Sequence, residues 1–310
     1  VVSSYPGTPS TEITEYAAKY DEIYCEWAPN EKVAAEVAIG ASFAGARAFC
    51  GMKHVGLNVA ADPIYTASYI GVNGGLVIGV ADDPGMHSSQ NEQDTRRHAM
   101  GAKLPVLEPS DSQEALSFTK LAFELSEKYD TPVIIRLTTR ISHSRSIADL
   151  SDRISIENKE YIKNPGKNVM MPAMAKKRHP IVEERQAKLS ALGDTADFNR
   201  IEMADTKIGV ITSGIPYLYV KEALGDRASV LKLGMTYPLP VNIIKDFASK
   251  VDKLYVVEEL DDIIEEHCRA LGLDVTGKAV FPACGEYSQS MIKKAILGEE
   301  SLGVKSPVSD

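Results

Sequence analysis

The sequence has no closely spaced cysteine pairs, no long apolar run and no excess of positive charge. Its four cysteines form neither a C-x-x-C pair nor an iron–sulfur ligand run, so we expect free thiols in a reducing cytoplasm. No apolar stretch approaches the ~20 residues that span a membrane. The net charge of −9 argues against nucleic acid and anionic membranes as general partners.

Common catalytic motifs are missing too. The chain lacks G-x-G-x-x-G and G-x-x-x-x-G-K-[ST], which bind nucleotides, and the G-x-S-x-G turn of many hydrolases. Its six histidines are scattered without the spacing of a zinc site. We therefore predict no metal ligand in this chain, and the simplest nucleotide-binding, hydrolase and zinc-enzyme hypotheses are excluded.

The 310 residues are 44% hydrophobic and 25% charged, which fits a soluble globular protein of about two domains. The sequence begins at Val1 without a signal peptide, and we expect Val1 to lie inside a longer natural chain. Strand-like and helix-like segments alternate over 1–140 and over 206–310. This alternation predicts an α/β fold with two doubly wound parallel-sheet domains, joined by a linker over 141–205 with a helix near Ile181–Leu192.

Apolar periodicity and capping residues predict the individual elements. Strands are expected at Lys53–Leu57, Gly75–Ala81, Leu104–Leu107, Pro132–Leu137, Lys207–Ser213, Ser229–Met235, Lys253–Leu260 and Lys278–Pro282. Helices are expected at 30–47, Gln113–Tyr129, Tyr217–Leu224, Val241–Val251, Asp261–Leu271 and Tyr287–Leu297. The predicted helix caps are Asn30, Ser110 or Asp111, and Asp261.

Two loops at the predicted carboxyl ends of strands carry side chains suited to ligand binding. The first, Tyr5–Glu12, offers the Thr8 hydroxyl, although a well-capped turn would use the same residues. The second, Asp82–Asp94, brings a histidine, two serines, a glutamine and an asparagine in immediate succession after an apolar strand. That density exceeds what a turn needs, so it favours a functional role.

A helix rich in small residues begins after Asn30. Its alanines and glycines permit close approach of a neighbouring backbone or subunit, and we therefore expect a two-fold dimer. Glu31 and Glu36 lie five residues apart, about 140° around the helix, so they do not form a paired-carboxylate site. Spacing alone favours a solvent-exposed Glu31 that interacts with the helix dipole.

Several segments, in matching order, resemble the alpha subunits of the indolepyruvate ferredoxin oxidoreductases, which belong to the thiamine-diphosphate-dependent 2-oxoacid:ferredoxin oxidoreductase family. They are Tyr5–Ile13, Asn30–Ala34, Met52–Pro63, Asp82–Asp94, Leu233–Pro240 and Tyr255–Leu260. The resemblance covers nearly the whole chain apart from 140–205. It implies a pyrimidine-binding domain at 1–140 and a transketolase-C-terminal-like domain at 206–310.

The same resemblance implies parts that this sequence does not contain. The family binds Mg²⁺ and the cofactor's diphosphate through a Gly-Asp-Gly…Asn motif, and the strings Gly193-Asp194-Thr195 and Gly225-Asp226-Arg227 do not fit it. The diphosphate-binding domain and the iron–sulfur clusters are therefore expected outside this chain, in a missing region or in a partner. The chain alone is expected to be inactive.

The reaction implied by the resemblance is oxidative decarboxylation of a 2-oxoacid, such as an arylpyruvate, with coenzyme A and ferredoxin. A beta subunit, and assembly as a homodimer or heterotetramer, are implied as well. Two alternatives remain open from the sequence. One is an E1-beta-like or transketolase-like thiamine diphosphate subunit with another acceptor, and the other is a non-catalytic dimerisation module.

The resemblance changes the interpretation of Glu31. In thiamine diphosphate enzymes a glutamate at the start of such a helix exchanges a proton with the pyrimidine N1′ and so activates the cofactor C2. Glu31, rather than Glu36, matches that position, where burial would raise the carboxyl pKa and the helix N-terminus would oppose that change.

Thr8 and Asn58 are the further cofactor-binding candidates. The candidates for the 2-oxoacid pocket are Thr8, His54, His87, Ser88 and Ser89, although both histidines also suit structural roles.

Overall fold

Two β-sheets with covering helices organise residues 1–299, which are the residues that this computed structural model describes. Residues 300–310, the end of the second predicted domain, lie outside them. The strands are β1 Val2–Ser4, β2 Cys25–Trp27, β3 Ala48–Lys53, β4 Leu76–Asp82, β5 Val106–Leu107, β6 Val133–Thr138, β7 Arg200–Glu202, β8 Ile208–Ser213, β9 Ser229–Leu233, β10 Met235–Tyr237 and β11 Lys253–Val257. The α-helices are α1 Thr11–Ala17, α2 Glu31–Phe43, α3 His54–Ile70, α4 Thr95–Ala102, α5 Ser112–Tyr129, α6 Thr139–His143, α7 Pro165–Asn168, α8 Pro172–Gly193, α9 Gly214–Leu224, α10 Asn242–Ala248, α11 Ile263–Ala270 and α12 Gln289–Leu297.

Both sheets are mostly parallel. The first has seven strands in the order β10-β5-β6-β4-β3-β1-β2, with β10 as an antiparallel edge strand. The second has four strands in the order β11-β8-β9-β7, with β7 as its antiparallel edge strand. The predicted α/β class with parallel sheets is confirmed, and the antiparallel edge strands are features that the sequence does not predict.

Helices cover both faces of the first sheet. On one face, α2 and α3 bury Ala38 and Leu57 together with Ile78 of β4. On the other face, α5 buries Phe118 together with Val77, because successive strand residues point to opposite faces. The strand order reverses between β1 and β3, and open α/β sheets bind ligands at the carboxyl ends of such strands.

Strand β10 connects the two sheets. The predicted strand Ser229–Met235 ends early, at Leu233, and the chain then crosses to the first sheet. There, Met235 pairs with Leu107 of β5, and the Glu108 amide donates a hydrogen bond of 2.8 Å to the Gly234 carbonyl. A Cβ on Gly234 would collide with the Phe198 carbonyl, so the crossing depends on a residue without a side chain.

The segment that begins at Lys53 is a strand end followed by a long helix, and the predicted strand Lys53–Leu57 is wrong. β3 ends at Lys53 and α3 starts at His54. The buried side chains Leu57, Ala60 and Ile64 recur at helical spacing. A short apolar window does not separate a strand from a buried helix, which explains the error.

Two predicted caps stabilise helices in the first domain. The Asn30 side chain accepts a hydrogen bond of 3.0 Å from the Val33 amide at the start of α2. The Asp111 side chain accepts one of 2.8 Å from the Glu114 amide at the start of α5. The small residues of α2 bury their face inside this chain, where α2 packs against α3. The small residues of α2 therefore give no support for contact with a second subunit, and the two-fold dimer stays a prediction.

The predicted linker contains more regular structure than expected. Its helix, α8, has 22 residues and extends beyond the predicted Ile181–Leu192. Arg178 and Arg185 of α8 bind Asp130, at 2.9 Å to its carboxylate and 2.9 Å to its carbonyl respectively. β7 then pairs with β9 of the second sheet. The part of the segment from α8 to β7 is thus attached to the rest of the fold, whereas residues 144–164 form no helix or strand and are mostly exposed.

In the second domain, the remaining predicted elements are present with ends that agree to within three residues, except at two places. The predicted strand Lys278–Pro282 is wrong, since the nearest pairing is an isolated bridge between Tyr255 and Thr276. Asp261 does not cap α11, because that helix begins at Ile263 with no side-chain cap. The Asp261 carboxylate instead binds Arg97 of the first domain at 2.9 Å.

Candidate functional site

The loops that follow β1, β4 and β6 enclose a cavity at the carboxyl edge of the first sheet. Its volume is about 410 Å³, within the range of small-molecule sites. The lining residues are Thr8, His87, Ser88, Thr139, Arg140, His143, Ser144 and Glu286. Since Glu286 comes from the second domain, we call this space the interdomain cavity. It brings together Thr8, His87 and Ser88 of the predicted site residues.

Asp83 organises the loop that supplies His87 and Ser88. Its carboxylate accepts hydrogen bonds from the Ser88 amide at 2.9 Å, the Ser89 hydroxyl at 2.5 Å and the Thr139 hydroxyl at 2.7 Å. Burial alone would raise the pKa of Asp83, but these hydrogen bonds outweigh it and hold the pKa at about 2. The Ser89 hydroxyl is therefore committed to Asp83, and Ser89 does not line the cavity.

Lys53 joins the loops after β1 and β4. Its side chain is buried, and its ammonium donates a hydrogen bond of 2.6 Å to the Ser88 carbonyl. The Ser88 hydroxyl in turn donates one of 3.2 Å to the Thr8 carbonyl. Burial lowers the pKa of Lys53, while the Asp83 carboxylate opposes that shift. Sequence analysis missed Lys53, because it was assigned to a strand that continued past it.

His54 and Asn58 lie outside the interdomain cavity. His54 is buried as the first residue of α3, with Nε2 at 3.2 Å from the Asn91 carbonyl and no partner for Nδ1. Asn58, one turn along α3, is exposed. Their roles in substrate and cofactor binding stay predictions.

A loop of the second domain closes one side of the cavity. Glu286 binds the Arg140 guanidinium at 2.6 Å and lies 3.3 Å from Nε2 of His87. The neighbouring Gly285 amide donates a hydrogen bond of 2.9 Å to Glu92 of the first domain. Arg140 lies two residues after the end of β6. The expectation that ligand-binding side chains follow the carboxyl ends of strands, which selected Asp82–Asp94, would therefore also have selected Arg140. Glu286 carries no comparable sequence signal.

A buried charge network joins the two domains. Arg96 of α4 binds Asp94 and Glu258, each at 2.6 Å, and its guanidinium also donates to the Glu259 carbonyl at 3.1 Å. Arg136 of β6 binds Asp82 at 2.6 Å and Glu108 at 2.7 Å. Burial of ionic groups is tolerated only where each has a partner. The network therefore fixes the orientation of the domains that enclose the cavity.

Among the described residues, Glu259 is a buried carboxyl beside this network that has no ion pair of its own within hydrogen-bond distance. Its Oε1 accepts one hydrogen bond of 2.8 Å from the Tyr287 amide. Burial raises the pKa of Glu259 to about 7, against the opposing effects of that hydrogen bond and of Arg136. The group therefore titrates near neutral pH, unlike Asp83.

Glu31 lies at a different point of the same sheet edge, after β2. Its side chain is half-buried over Gly56 of α3, where a Cβ would fall 2.5 Å from Oε1. Within residues 1–299, no side chain or amide donates a hydrogen bond to this carboxylate. Glu36, on another side of α2, is exposed. Among the described residues, Glu31 is thus a hydrogen-bond acceptor without a donor, and it lies beside Gly56, where a side chain would collide with it.

Comparison with known families decides the relationship of the chain. Residues 1–205 match the family described as pyruvate flavodoxin/ferredoxin oxidoreductase, thiamine diphosphate-binding. The chain belongs to this family. The resemblance that the sequence segments suggested is therefore confirmed, and the thiamine diphosphate-binding assignment covers residues 1–205, which carry Glu31 and every lining residue of the interdomain cavity except Glu286.

Relatives within the oxidoreductase family extend the match over nearly the whole chain. The indolepyruvate oxidoreductase subunit IorA of Archaeoglobus fulgidus is 43% identical over 98% of this chain and 51% of its own length. The IorA subunit of Methanothermobacter thermautotrophicus is 44% identical over 96% of this chain and 51% of its own length. The chain thus spans about half the length of these relatives.

Solved structures agree with the fold. A 2-oxoglutarate:ferredoxin oxidoreductase from Magnetococcus marinus aligns with a TM-score of 0.73 at 18% identity, over 96% of this chain and 61% of that chain. A split-gene transketolase aligns with a TM-score of 0.59 at 17% identity, over 96% of this chain and 90% of that chain. At these identities the likeness shows the fold.

Within the described part of this oxidoreductase-family chain, no group of three or more His, Cys, Asp or Glu side chains is arranged to hold a metal ion. Over the same residues, no helix combines the length and apolar character needed to cross a membrane.

Proposed function

We propose that this chain activates thiamine diphosphate in a 2-oxoacid:ferredoxin oxidoreductase. The enzyme would convert an arylpyruvate, with indolepyruvate as the leading candidate, and coenzyme A into acyl-CoA and carbon dioxide while reducing ferredoxin. The observation that carries the proposal is the unpaired Glu31 carboxylate over Gly56, in a chain of the thiamine diphosphate-binding family. The IorA relatives support the choice of substrate.

The surroundings of Glu31 fit the aminopyrimidine of the cofactor. A carboxyl that contacts N1′ needs an oxygen without an internal partner, and Glu31 has one. Gly56 leaves the space that the carboxyl occupies, since any Cβ there would collide with it. The buried Cys50 thiol and Ala34 provide apolar surroundings next to the same helix start.

Two places in the chain, Glu31 and the interdomain cavity, contribute to the proposed reaction. When bound, thiamine diphosphate supplies a carbon nucleophile for the keto group of the substrate. Glu31 holds and returns the proton at N1′, which is general acid–base catalysis. The interdomain cavity, with the Thr8 hydroxyl and the His87 ring on its wall, holds the polar end of the substrate. Asp83 keeps the loop of His87 and Ser88 in place.

Other parts of the enzyme would be supplied outside this chain. With no Gly-Asp-Gly motif in the sequence, the Mg²⁺ and diphosphate site belongs to another region or subunit. The iron–sulfur clusters that pass electrons to ferredoxin belong there as well, because the four cysteines of this chain are dispersed and free. A beta subunit and a homodimer or heterotetramer in the cytoplasm complete the proposed assembly.

The test is turnover by the complete enzyme. The enzyme containing this chain is assayed with indolepyruvate, phenylpyruvate or 2-oxoglutarate, together with coenzyme A, thiamine diphosphate, Mg²⁺ and oxidised ferredoxin. We expect ferredoxin reduction with the arylpyruvates that requires both coenzyme A and thiamine diphosphate. Decarboxylation that leaves ferredoxin oxidised, or that transfers the acyl group to lipoamide, would contradict the proposal.

A further inference from the structure

A constrained turn places the His87 ring on the wall of the interdomain cavity. Met86, the residue before it, has a left-handed φ of 54°, which a residue with a side chain adopts only where the surrounding structure holds it there. The His87 amide donates a hydrogen bond of 3.2 Å to the Asp83 carboxylate. The side chain of His87 is 52% exposed and lines the cavity. The loop therefore presents the imidazole to a ligand that enters.

The second domain supplies a carboxylate for the same ring. Oε2 of Glu286 lies 3.3 Å from Nε2 of His87, and the Arg140 guanidinium holds Glu286 in turn at 2.6 Å. A carboxylate beside one ring nitrogen favours a proton on that nitrogen. Among the described residues, Nδ1 of His87 has no hydrogen-bond partner. Glu286 thus orients the ring through Nε2 and leaves Nδ1 available to a ligand.

An imidazole oriented in this way is suited to proton transfer. Imidazole gives and takes protons readily near neutral pH, and a carboxylate that orients it is a recurring feature of acid–base sites. The neighbouring Ser88 hydroxyl donates a hydrogen bond of 3.2 Å to the Thr8 carbonyl, so that the loops of His87 and Thr8 border one space. A carbonyl oxygen bound there becomes negatively charged when its carbon gains a bond, and a nearby proton donor stabilises that charge.

We propose that His87 is a catalytic acid–base residue for the keto oxygen of the substrate, and that Glu286 of the second domain is its positioning residue. The identity of that substrate as a 2-oxoacid rests on the proposed function. As the keto carbon gains its new bond, the π electron pair moves to the oxygen, which takes the proton from Nδ1 of the imidazolium. The neutral ring keeps its Nε2 proton beside Glu286. When the C=O bond re-forms in the acyl product, the oxygen returns its proton to Nδ1.

Glu31 and His87 act at different steps. Glu31 exchanges its proton before any substrate is bound, and exchange at the cofactor C2 measures that step. His87 acts only when a keto group is present in the cavity. A substitution of His87 should therefore slow the reaction of the substrate without slowing activation of the cofactor.

The test compares these two steps in the complete enzyme. The first measurement is hydrogen–deuterium exchange at C2 without substrate, and the second is release of carbon dioxide from carboxyl-labelled phenylpyruvate in a single turnover. His87→Gln keeps a hydrogen-bonding group but cannot take up a proton near neutral pH. It should slow carbon dioxide release by roughly 10²–10⁴-fold and leave C2 exchange unchanged.

His179→Gln is the matched control. His179 also lies beside a glutamate, with Nε2 at 3.1 Å from Glu183, and its side chain is 56% exposed. It does not line the cavity. Both measurements should therefore be unchanged in His179→Gln.

Glu286→Gln tests the positioning role. It should slow carbon dioxide release by roughly three- to tenfold, because the lost charge acts only through the ring that it orients. In an enzyme that already carries His87→Gln, the same substitution should have no further effect. Equal slowing by Glu286→Gln in both backgrounds would overturn the positioning role.

Normal carbon dioxide release in His87→Gln would overturn the assignment of His87. Equal slowing of release and of C2 exchange would overturn it too, because the substitution would then act on cofactor activation. If the unsubstituted enzyme turns over arylpyruvates and His87→Gln does so equally well, the proposed function stands and the assignment of His87 alone fails. If the unsubstituted enzyme releases no carbon dioxide from any 2-oxoacid, both fail.

Discussion

Replacing Arg96 by glutamine tests whether the buried charge network holds the two domains together. The guanidinium is fully buried and binds Asp94 and Glu258, with further hydrogen bonds to the carbonyls of Glu259 at 3.1 Å and Asp261 at 3.0 Å. Arg96→Gln leaves two buried carboxylates short of a counter-charge. Breaking a buried pair in this way costs about 3–5 kcal/mol, a large share of the ~5–15 kcal/mol that stabilises a typical domain.

Arg97→Gln is the matched control for this change. Arg97 is the next residue of α4 and also crosses to the second domain, where it binds Asp261, Asp262 and Glu266. Its side chain is 39% exposed, so solvent screens these pairs and each contributes about 1 kcal/mol or less. The two substitutions therefore differ in burial far more than in chemistry or in number of partners.

The measurement is urea unfolding of both variants, followed by far-ultraviolet circular dichroism. We expect Arg96→Gln to lower the free energy of unfolding by at least about 3 kcal/mol, and Arg97→Gln by about 1 kcal/mol. A loss below 1 kcal/mol for Arg96→Gln, or equal losses for both, would refute the assignment of the interdomain contact to the buried network.

Glu259, Asp83 and cofactor binding by the chain alone can each be tested separately. Burial raises the pKa of Glu259 from 4.5 to about 7, so its stabilising contribution is lost as the pH rises through that window. Glu259→Gln should remove this pH dependence from unfolding measured at pH 5 and pH 8. Asp83, whose pKa is lowered to about 2, stabilises its loop at pH 7, and Asp83→Asn should speed proteolysis within 84–93. The 310-residue chain alone should show no micromolar binding of thiamine diphosphate with Mg²⁺ by calorimetry.

The elements that the sequence predicted well are those with local signals. Asn30 and Asp111 cap helices as expected, because the hydrogen bond of a cap reaches only two or three residues along the chain. The strand at Gly75–Ala81 is also close to β4, since an apolar run between turn signals is characteristic of a buried parallel strand. These features depend on residues that are close in sequence, so they can be predicted from a single sequence.

Features that depend on distant contacts were not predictable in the same way. The ion pair of Arg140 with Glu286 joins residues 146 positions apart, and neither residue type marks a partner in the sequence. Strand β10 leaves the second sheet because the edge of β5 is available to it, which only the assembled fold shows. Of the predicted pocket residues, Thr8, His87 and Ser88 meet because the loops after β1 and β4, the two neighbours of β3, lie over the same carboxyl edge of the sheet. His54 begins α3 instead of lying in the predicted strand Lys53–Leu57, and its role in substrate binding stays a prediction.

We propose that Glu31 exchanges the proton that activates thiamine diphosphate. Its most direct test is hydrogen–deuterium exchange at the cofactor C2 in the complete enzyme, comparing Glu31→Gln with Glu36→Gln, on another side of α2. The amide keeps the size and a hydrogen bond but cannot pass a proton, so Glu31→Gln should slow exchange by roughly 10²–10⁴-fold or more. The melting temperature should stay unchanged and Glu36→Gln should exchange normally. Normal C2 exchange in Glu31→Gln would contradict the assignment, and slow exchange in Glu36→Gln alone would show that the wrong glutamate was chosen.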